Sequence, residues 1–204
     1  IDGKSITIDS ENTLLEAANQ AGIYIPTLCY HPDLKPACSS GDCKDGCGLC
    51  AVQVEGKADF VQACGTKVAE ALHVNTATPE ARDKQKQALT QILKIHPNAC
   101  LTCWRRERCK PDDICLRQVN VTERCVTCPE NGHCELQRVV DFLDIGNDEI
   151  PYQYRNLPVQ RDNPYFDLDY NLCIACGRCV RACRDLRGIK AIDFKEIDGF
   201  KVAG

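Results

Sequence analysis

Gly46-Cys47-Gly48-Leu49-Cys50-Ala51-Val52-Gln53-Val54 is the stretch on which the reading of this chain turns. A Cys-x2-Cys pair runs directly into residues 50–54, whose alternation is that of a half-buried strand, and Glu55-Gly56 supplies the turn that ends it. Two thiols so close in sequence are poorly placed to bridge one another, but they converge readily on one metal centre. Working outward, the chain has 17 cysteines in 204 residues, an odd total, and they fall into four tight groups. That much cysteine in a short secreted chain would indicate a disulfide scaffold. Close doublets and triplets argue instead for several metal centres, and free thiolates imply a reducing compartment, by default the cytoplasm.

The bulk composition agrees. Aromatic residues make up only 6% of the chain, and cysteine inflates the hydrophobic 44%. One large apolar core is therefore not expected; one to three small modules stabilised by their cofactors are. A net charge of −4 argues against a nucleic-acid partner. No apolar run is long enough to span a membrane, and the start, Ile1-Asp2-Gly3-Lys4-Ser5, lacks the basic and apolar regions of a signal peptide. The chain contains no methionine and stops just beyond a strand-like segment, 194–202, so an incomplete copy of a longer product is expected.

The expected class is α+β in three parts: a compact β-rich module over 1–77, a small helical cysteine-rich module over 78–146, and a linker with a last cysteine module over 147–204. In the first, residues 5–9 alternate like a strand. Ser10 or Asn12 is placed to cap a helix over 13–21 that Gly22 ends. In the second, Thr78-Pro79-Glu80 is a helix start with proline at the first helical position, and Leu89, Ile92 and Leu93 give that helix an apolar face. It should end near His96-Pro97, because proline disfavours a helical residue before it. Residues 135–143 form a second amphipathic pattern. Residues 146–170, rich in Pro, Asn and Tyr, read as ordered coil, and a short helix and strand follow the last cysteines.

The first cysteine group is Cys29, Cys47, Cys50 and Cys64, enough thiolates for two sulfide-bridged irons. Ile25-Pro26-Thr27-Leu28-Cys29-Tyr30-His31-Pro32, Gly46-Cys47-Gly48-Leu49-Cys50-Ala51-Val52 and Gln62-Ala63-Cys64 together resemble the N-terminal [2Fe–2S] domain of the complex I large iron–sulfur subunit. The same domain occurs in iron-only hydrogenases and NAD-dependent formate dehydrogenases. The resemblance implies a ferredoxin β-grasp fold for the first module. One departure is the lengthened segment between Cys29 and Cys47, which carries Cys38 and Cys43, expected as free thiols or a local disulfide.

The second group, His96-x3-Cys100-x2-Cys103-x5-Cys109, resembles the [4Fe–4S] module of those families, with one histidine and three cysteine ligands. An imidazole in place of a thiolate removes negative charge and should raise the potential. The Cys-x2-Cys-x5-Cys pattern then recurs 25 residues on, as Cys125, Cys128 and Cys134, and Glu135-Leu136-Gln137 follows this second copy. The families have one such segment, so the repeat implies an additional [4Fe–4S] site. Val121 stands where the counterpart of His96 would be, which leaves Cys115 as the expected fourth ligand and His133 as runner-up. A single cluster drawing on both copies, or a zinc knuckle in one of them, stays open.

The fourth group, Cys173-x2-Cys176-x2-Cys179-x3-Cys183, has the bacterial ferredoxin pattern, in which the fourth cysteine serves a second cluster. No second copy follows before Gly204, so Cys183 either belongs to a cluster completed beyond it or closes a single one here; a two-cluster module cut short is the favoured reading. The basic run Arg105, Arg106, Arg108 and Lys110 reads as a solvated face, and Trp104 as a shield beside Cys103. No GxGxxG loop, Ser–His–Asp order or HExxH motif is present, so neither flavin, nicotinamide nor hydrolytic chemistry is expected in this chain.

The resemblance as a whole implies an electron-transfer subunit with one [2Fe–2S] and three to four [4Fe–4S] clusters. Its implied partners are a flavin subunit that oxidises NADH and a catalytic reductase, hydrogenase or dehydrogenase subunit of an anaerobic redox complex. The alternatives are the N-terminal relay of a larger hydrogenase or Mo/W formate dehydrogenase chain, and a zinc-stapled interaction module.

Overall fold

The computed structural model describes residues 1–38, 43, 46–115, 124–145 and 150–204. The fold mixes short helices with small sheets, and the chain divides into two compact units: Ile1–Leu89 with Ala175–Lys195 and Ala203–Gly204, and Thr90–Ile174 with Glu196–Val202.

In the first unit the helix α1, Leu14–Gln20, starts at Thr13 rather than at Ser10 or Asn12. The hydroxyl of Thr13 accepts from the Glu16 N–H at 3.3 Å, and the Glu16 carboxylate accepts from the Thr13 N–H at 2.7 Å. This reciprocal capping box satisfies two otherwise orphaned donors. Strand β1, Ala51–Val54, lies between β2, Val61–Gln62, and β3, Val74–Asn75, and both pairings are antiparallel. Leu14, Leu15 and Ala18 of α1 pack with Ile25, Val52, Val54, Ala63 and Val74, and Cys50 and Cys64 sit inside the same core. Residues 5–9 alternate in burial as expected, yet among the described residues no strand pairs with them. Ile6 and Ile8 instead line an open hollow of about 850 Å³ opposite residues 68–75, so no ladder forms.

Helix α2, Pro79–Ile95, begins where proline at the first position predicts, with Thr78 Oγ1 accepting from the Ala81 N–H at 3.2 Å. Ala81, Gln85 and Leu89 are fully buried, at the four-residue spacing of one helix face.

In the second unit, α3, Glu135–Leu143, buries Leu136, Val139, Val140 and Leu143 and ends in a left-handed Asp144. Residues 146–149, the start of the expected linker, lie outside the described residues. Residues 150–170 are more ordered than coil, because β4, Val159–Gln160, pairs antiparallel with β5, Leu168–Asp169. A small core of Leu157, Tyr170 and Val202 packs beside them. In the first unit, the last cysteine motif carries the short helix α4, Arg178–Arg181, continued by a π-turn over Ala182–Leu186. Residues 194–202, expected as one strand, form a hairpin of β6, Phe194–Ile197, and β7, Phe200–Ala203. Asp198 and Gly199 between them both have positive φ, as a two-residue type I′ turn requires. Among the described residues no helix is long and apolar enough to cross a membrane.

Candidate metal centres

The core of the first unit brings Cys29, Cys47, Cys50 and Cys64 together. Cys50 is placed by the start of β1, and Cys64 by the turn after β2. The Cys47 N–H donates to Cys29 Sγ at 3.5 Å, the Leu28 N–H donates to Cys47 Sγ at 3.4 Å, and Thr27 Oγ1 lies 3.9 Å from the same sulfur. The thiol of Cys50 donates to Gln62 Oε1 at 3.2 Å. Hydrogen bonds between side chains link Cys47 to Cys29, Cys29 to Cys64 and Cys64 to Cys50.

Three of these thiols, Cys29, Cys47 and Cys64, resist ionisation. The Cys47 thiol is pushed well up by its bond to Cys29, by burial and by the charge of Cys29. Cys29 is also raised: Cys47 acts to lower it, but Cys64 and burial outweigh that. Cys64 reaches about 12, its bond to Cys29 being outweighed by Cys50, burial and neighbouring thiolate charge. Crowded, buried thiols of this kind become thiolates together only if positive charge is placed among them, which bridged irons supply. Among the described residues no three His, Cys, Asp or Glu side chains converge on the position of one metal ion. A two-iron cluster does not require that, since two thiolates serve each iron, and the linked set fits such a group.

Cys38 and Cys43 are bonded to each other, and Cys38 is buried in the same core. Cys38 packs closely on the residue after Cys64: a Cβ at Gly65 would lie 1.8 Å from the Cys38 carbonyl oxygen. Glycine is required there.

In the second unit, Cys100, Cys103, Cys109 and Cys115 line one cavity of about 390 Å³, together with Trp104, Arg105, Arg106 and Arg124. Cys115 is thus found beside the first copy of the repeat. Cys125 of the second copy reaches the first as well. Its thiol is hydrogen-bonded to Cys100, whose pKa is lowered by that bond, by the amides of Cys125 and Val126 and by Arg124; Cys125 is raised by the same bond and by burial. Gln137 also bonds Cys125, and its Oε1 accepts from the Gly132 N–H at 3.0 Å. Cys109, His133 and Cys134 border a second hollow, while Cys128 is exposed.

His96 Nδ1 lies 3.0 Å from the Pro97 carbonyl oxygen. A carbonyl can only accept, so Nδ1 carries the proton and Nε2 keeps its lone pair, the arrangement a metal-ligating imidazole uses. Burial and, more weakly, Arg155 lower the pKa of the ring and keep it neutral. Trp104 remains largely exposed, with Arg105 over its ring at 6.0 Å, and Arg106 pairs with Asp141 at 2.9 Å.

In the last motif Cys176 and Cys183 are half-buried and Cys179 is exposed. Cys183 Sγ donates to the Ile189 carbonyl at 2.8 Å. Gly177 has φ +67° and a ring carbon of Phe194 2.9 Å from the place of a Cβ, which leaves no room for a side chain. Cys173, in the second unit, has its carbonyl bound by Arg155 Nη2 at 2.9 Å. Reading the sequence alone did not single out Arg155, Arg178 or Arg181, and it named Gln62 and Gln137 only as motif residues, without a role. Only the two arginines at i and i+3 within Gly177-Arg178-Cys179-Val180-Arg181 carried a local signal, a shared helix face.

Comparison with known proteins matches residues 1–79 to a 2Fe-2S iron-sulfur cluster binding domain and residues 166–185 to a 4Fe-4S binding domain. Chains described as formate dehydrogenases in Staphylococcus aureus strains USA300 and MRSA252 are each 28% identical over 187 residues, which is 91% of this chain and 15% of theirs. The chain therefore spans only a small part of the relatives it matches. In fold it is similar to a chain of an NAD+-reducing [NiFe]-hydrogenase in the H2-reduced state, with TM-score 0.71 and 24% identity over 99% of this chain and 71% of that one. The chain thus carries a 2Fe-2S cluster binding domain over residues 1–79 and a 4Fe-4S binding domain over 166–185, and over most of its length it is similar to part of chains described as formate dehydrogenases.

Proposed function

We propose that the chain is an electron relay between a flavin-containing, NADH-oxidising partner and a catalytic reductase, hydrogenase or dehydrogenase. The observation that carries this reading is the gathering of Cys29, Cys47, Cys50 and Cys64 in one core, where burial and neighbouring thiols raise the pKa of Cys29, Cys47 and Cys64, so that added positive charge is needed to ionise these three together. These four hold a [2Fe–2S] cluster in a β-grasp module over residues 1–77. His96, Cys100, Cys103 and Cys109 hold a [4Fe–4S] cluster in the module over 78–146. Cys115, Cys125, Cys128 and Cys134 hold an additional one there. Cys173, Cys176 and Cys179 hold a third in the module over 147–204, with Cys183 serving a further cluster. The total is one [2Fe–2S] and three to four [4Fe–4S] clusters.

The chemistry that such clusters supply is one-electron transfer. The protein's own part is to fix, shield and tune. Leu28 and Cys47 N–H groups donate to ligand sulfurs, and the core around α1 and β1 excludes water from Cys29, Cys50 and Cys64. Pro97 orients His96. Fifteen free cysteines suit a reducing cytoplasm under anaerobic conditions.

A second reading, the relay portion of a larger catalytic chain such as a Mo/W formate dehydrogenase, is favoured by one observation: the matched relatives extend far beyond the region shared with this chain. One experiment tests the relay itself. Anaerobically purified protein should contain iron equivalent to one [2Fe–2S] and at least three [4Fe–4S] clusters, with EPR signals on reduction. Iron for only two clusters refutes the extended relay, and a colourless protein loaded with zinc refutes electron transfer altogether.

A further inference from the structure

Arg178 and Arg181 stand at the two ends of α4, with Cys179 between them. Arg181 is 6% exposed. Its Nη2 donates to the Cys29 carbonyl, and its Nη1 donates to the Lys35 carbonyl at 2.6 Å. Arg178 Nη2 donates to the Tyr30 carbonyl at 2.5 Å. All three acceptors lie on the loop that starts at Cys29.

Carbonyl groups satisfy donors but neutralise no charge. Among the described residues no carboxylate lies within ion-pair distance of Arg181; the nearby Asp185 pairs with Arg184 instead, at 2.7 Å. Arg181 Nε is buried without any hydrogen-bond partner. A residue serving only to pack here would be apolar, because burying a guanidinium with one donor unmet carries a desolvation cost that an apolar residue avoids.

We propose that Arg181 is a potential-setting residue: its forked guanidinium, joined by that of Arg178, holds positive charge against the main chain of Cys29 and favours the reduced [2Fe–2S] cluster. This rests on the reading that Cys29, Cys47, Cys50 and Cys64 hold that cluster. Reduction adds one electron to a site already ringed by four thiolates, so a fixed buried cation stabilises the product more than the reactant. The planar fork reaches two carbonyls at once, which a lysine ammonium does not reproduce. The second unit contains the same device. Arg155, 4% exposed, donates from Nη2 to the carbonyls of Tyr170, Asn171 and Cys173 at 2.8, 2.5 and 2.9 Å, and Cys173 opens the last motif.

The test is an EPR-monitored redox titration of the full chain as wild type, Arg181→Gln, Arg181→Lys, Arg178→Gln and, as control, Arg184→Gln. Arg181→Gln should favour the oxidised [2Fe–2S] cluster by about tenfold, a downward shift of about 59 mV for one electron. Arg181→Lys should retain most of the wild-type midpoint, and Arg184→Gln all of it. An unchanged midpoint in iron-loaded Arg181→Gln overturns the proposal. If that variant does not hold iron, Arg178→Gln decides: a lowered midpoint supports the proposal and an unchanged one overturns it. Absence of any [2Fe–2S] signal from the wild type would instead sink the ligand assignment on which the proposal rests.

Discussion

Replacing Gln85 with leucine should be among the most damaging single changes to the first unit that leave every proposed ligand in place. Gln85 lies on α2 and is fully buried. Its Nε2 donates to the Ala51 carbonyl at 2.9 Å and to the Thr76 carbonyl at 3.3 Å, and its Oε1 accepts from Arg82 Nη1 at 3.2 Å. Leucine fills nearly the same volume, so the cavity contribution is small. What is lost is the partner of two carbonyls on buried residues, each costing about 1–3 kcal/mol when left unmet. The bond to the Thr76 carbonyl is the longer of the two and its loss the less costly, so the expected total is about 2–4 kcal/mol. With a urea dependence of about 2 kcal/mol per molar, the midpoint should fall by about 1–2 M. Because a bound cluster itself stabilises the folded state, wild type and variant must be compared at equal iron loading. Ala51 directly follows Cys50, so iron release to a chelator should also accelerate. A loss below about 0.5 kcal/mol with unchanged release would show that these hydrogen bonds do not brace the ligand strand, and would refute the reasoning.

Thr13→Ala removes one half of the capping box and should cost about 1 kcal/mol in thermal or urea unfolding, whereas Thr13→Ser should restore most of it. In iron-free protein at neutral pH, iodoacetamide should label Cys100 well before Cys64, because the former pKa is lowered and the latter raised to about 12; peptide mapping that found the reverse order would contradict both assignments. The same Cys64 shift has a stability consequence. Its thiol holds a proton in the folded chain up to about 12 but only to 9.0 when unfolded, so iron-free protein should lose stability as pH rises between these values. A flat profile from pH 9 to 12 in denaturant titrations would count against the crowded-thiol description.

The grouping of the cysteines was legible because metal-binding spacing is local. Cys47 and Cys50 sit three residues apart, and the strand that follows them is visible in its own alternation. Helix α2 was marked by Thr78-Pro79, and α3 by its apolar face, both signals carried within a single element. Residues 5–9 misled, because alternation states which side of a strand is apolar but not whether another strand lies beside it. The hairpin at Asp198-Gly199 was there to be read from its turn residues, which interrupt the segment 194–202 that otherwise reads as one strand.

By itself, then, the sequence determined how the cysteines group, that their spacing is that of metal ligands, and which families the pattern resembles. Tertiary structure decided the company each thiol keeps: Cys115 lining the cavity of the first repeat, Cys125 bonded to Cys100, and Arg181 donating to a carbonyl 152 residues away. The reason is physical. A ligand motif is a property of neighbouring residues, but the charge, burial and hydrogen bonds that tune a thiolate come from groups distant along the chain, and only the folded arrangement brings those groups to it.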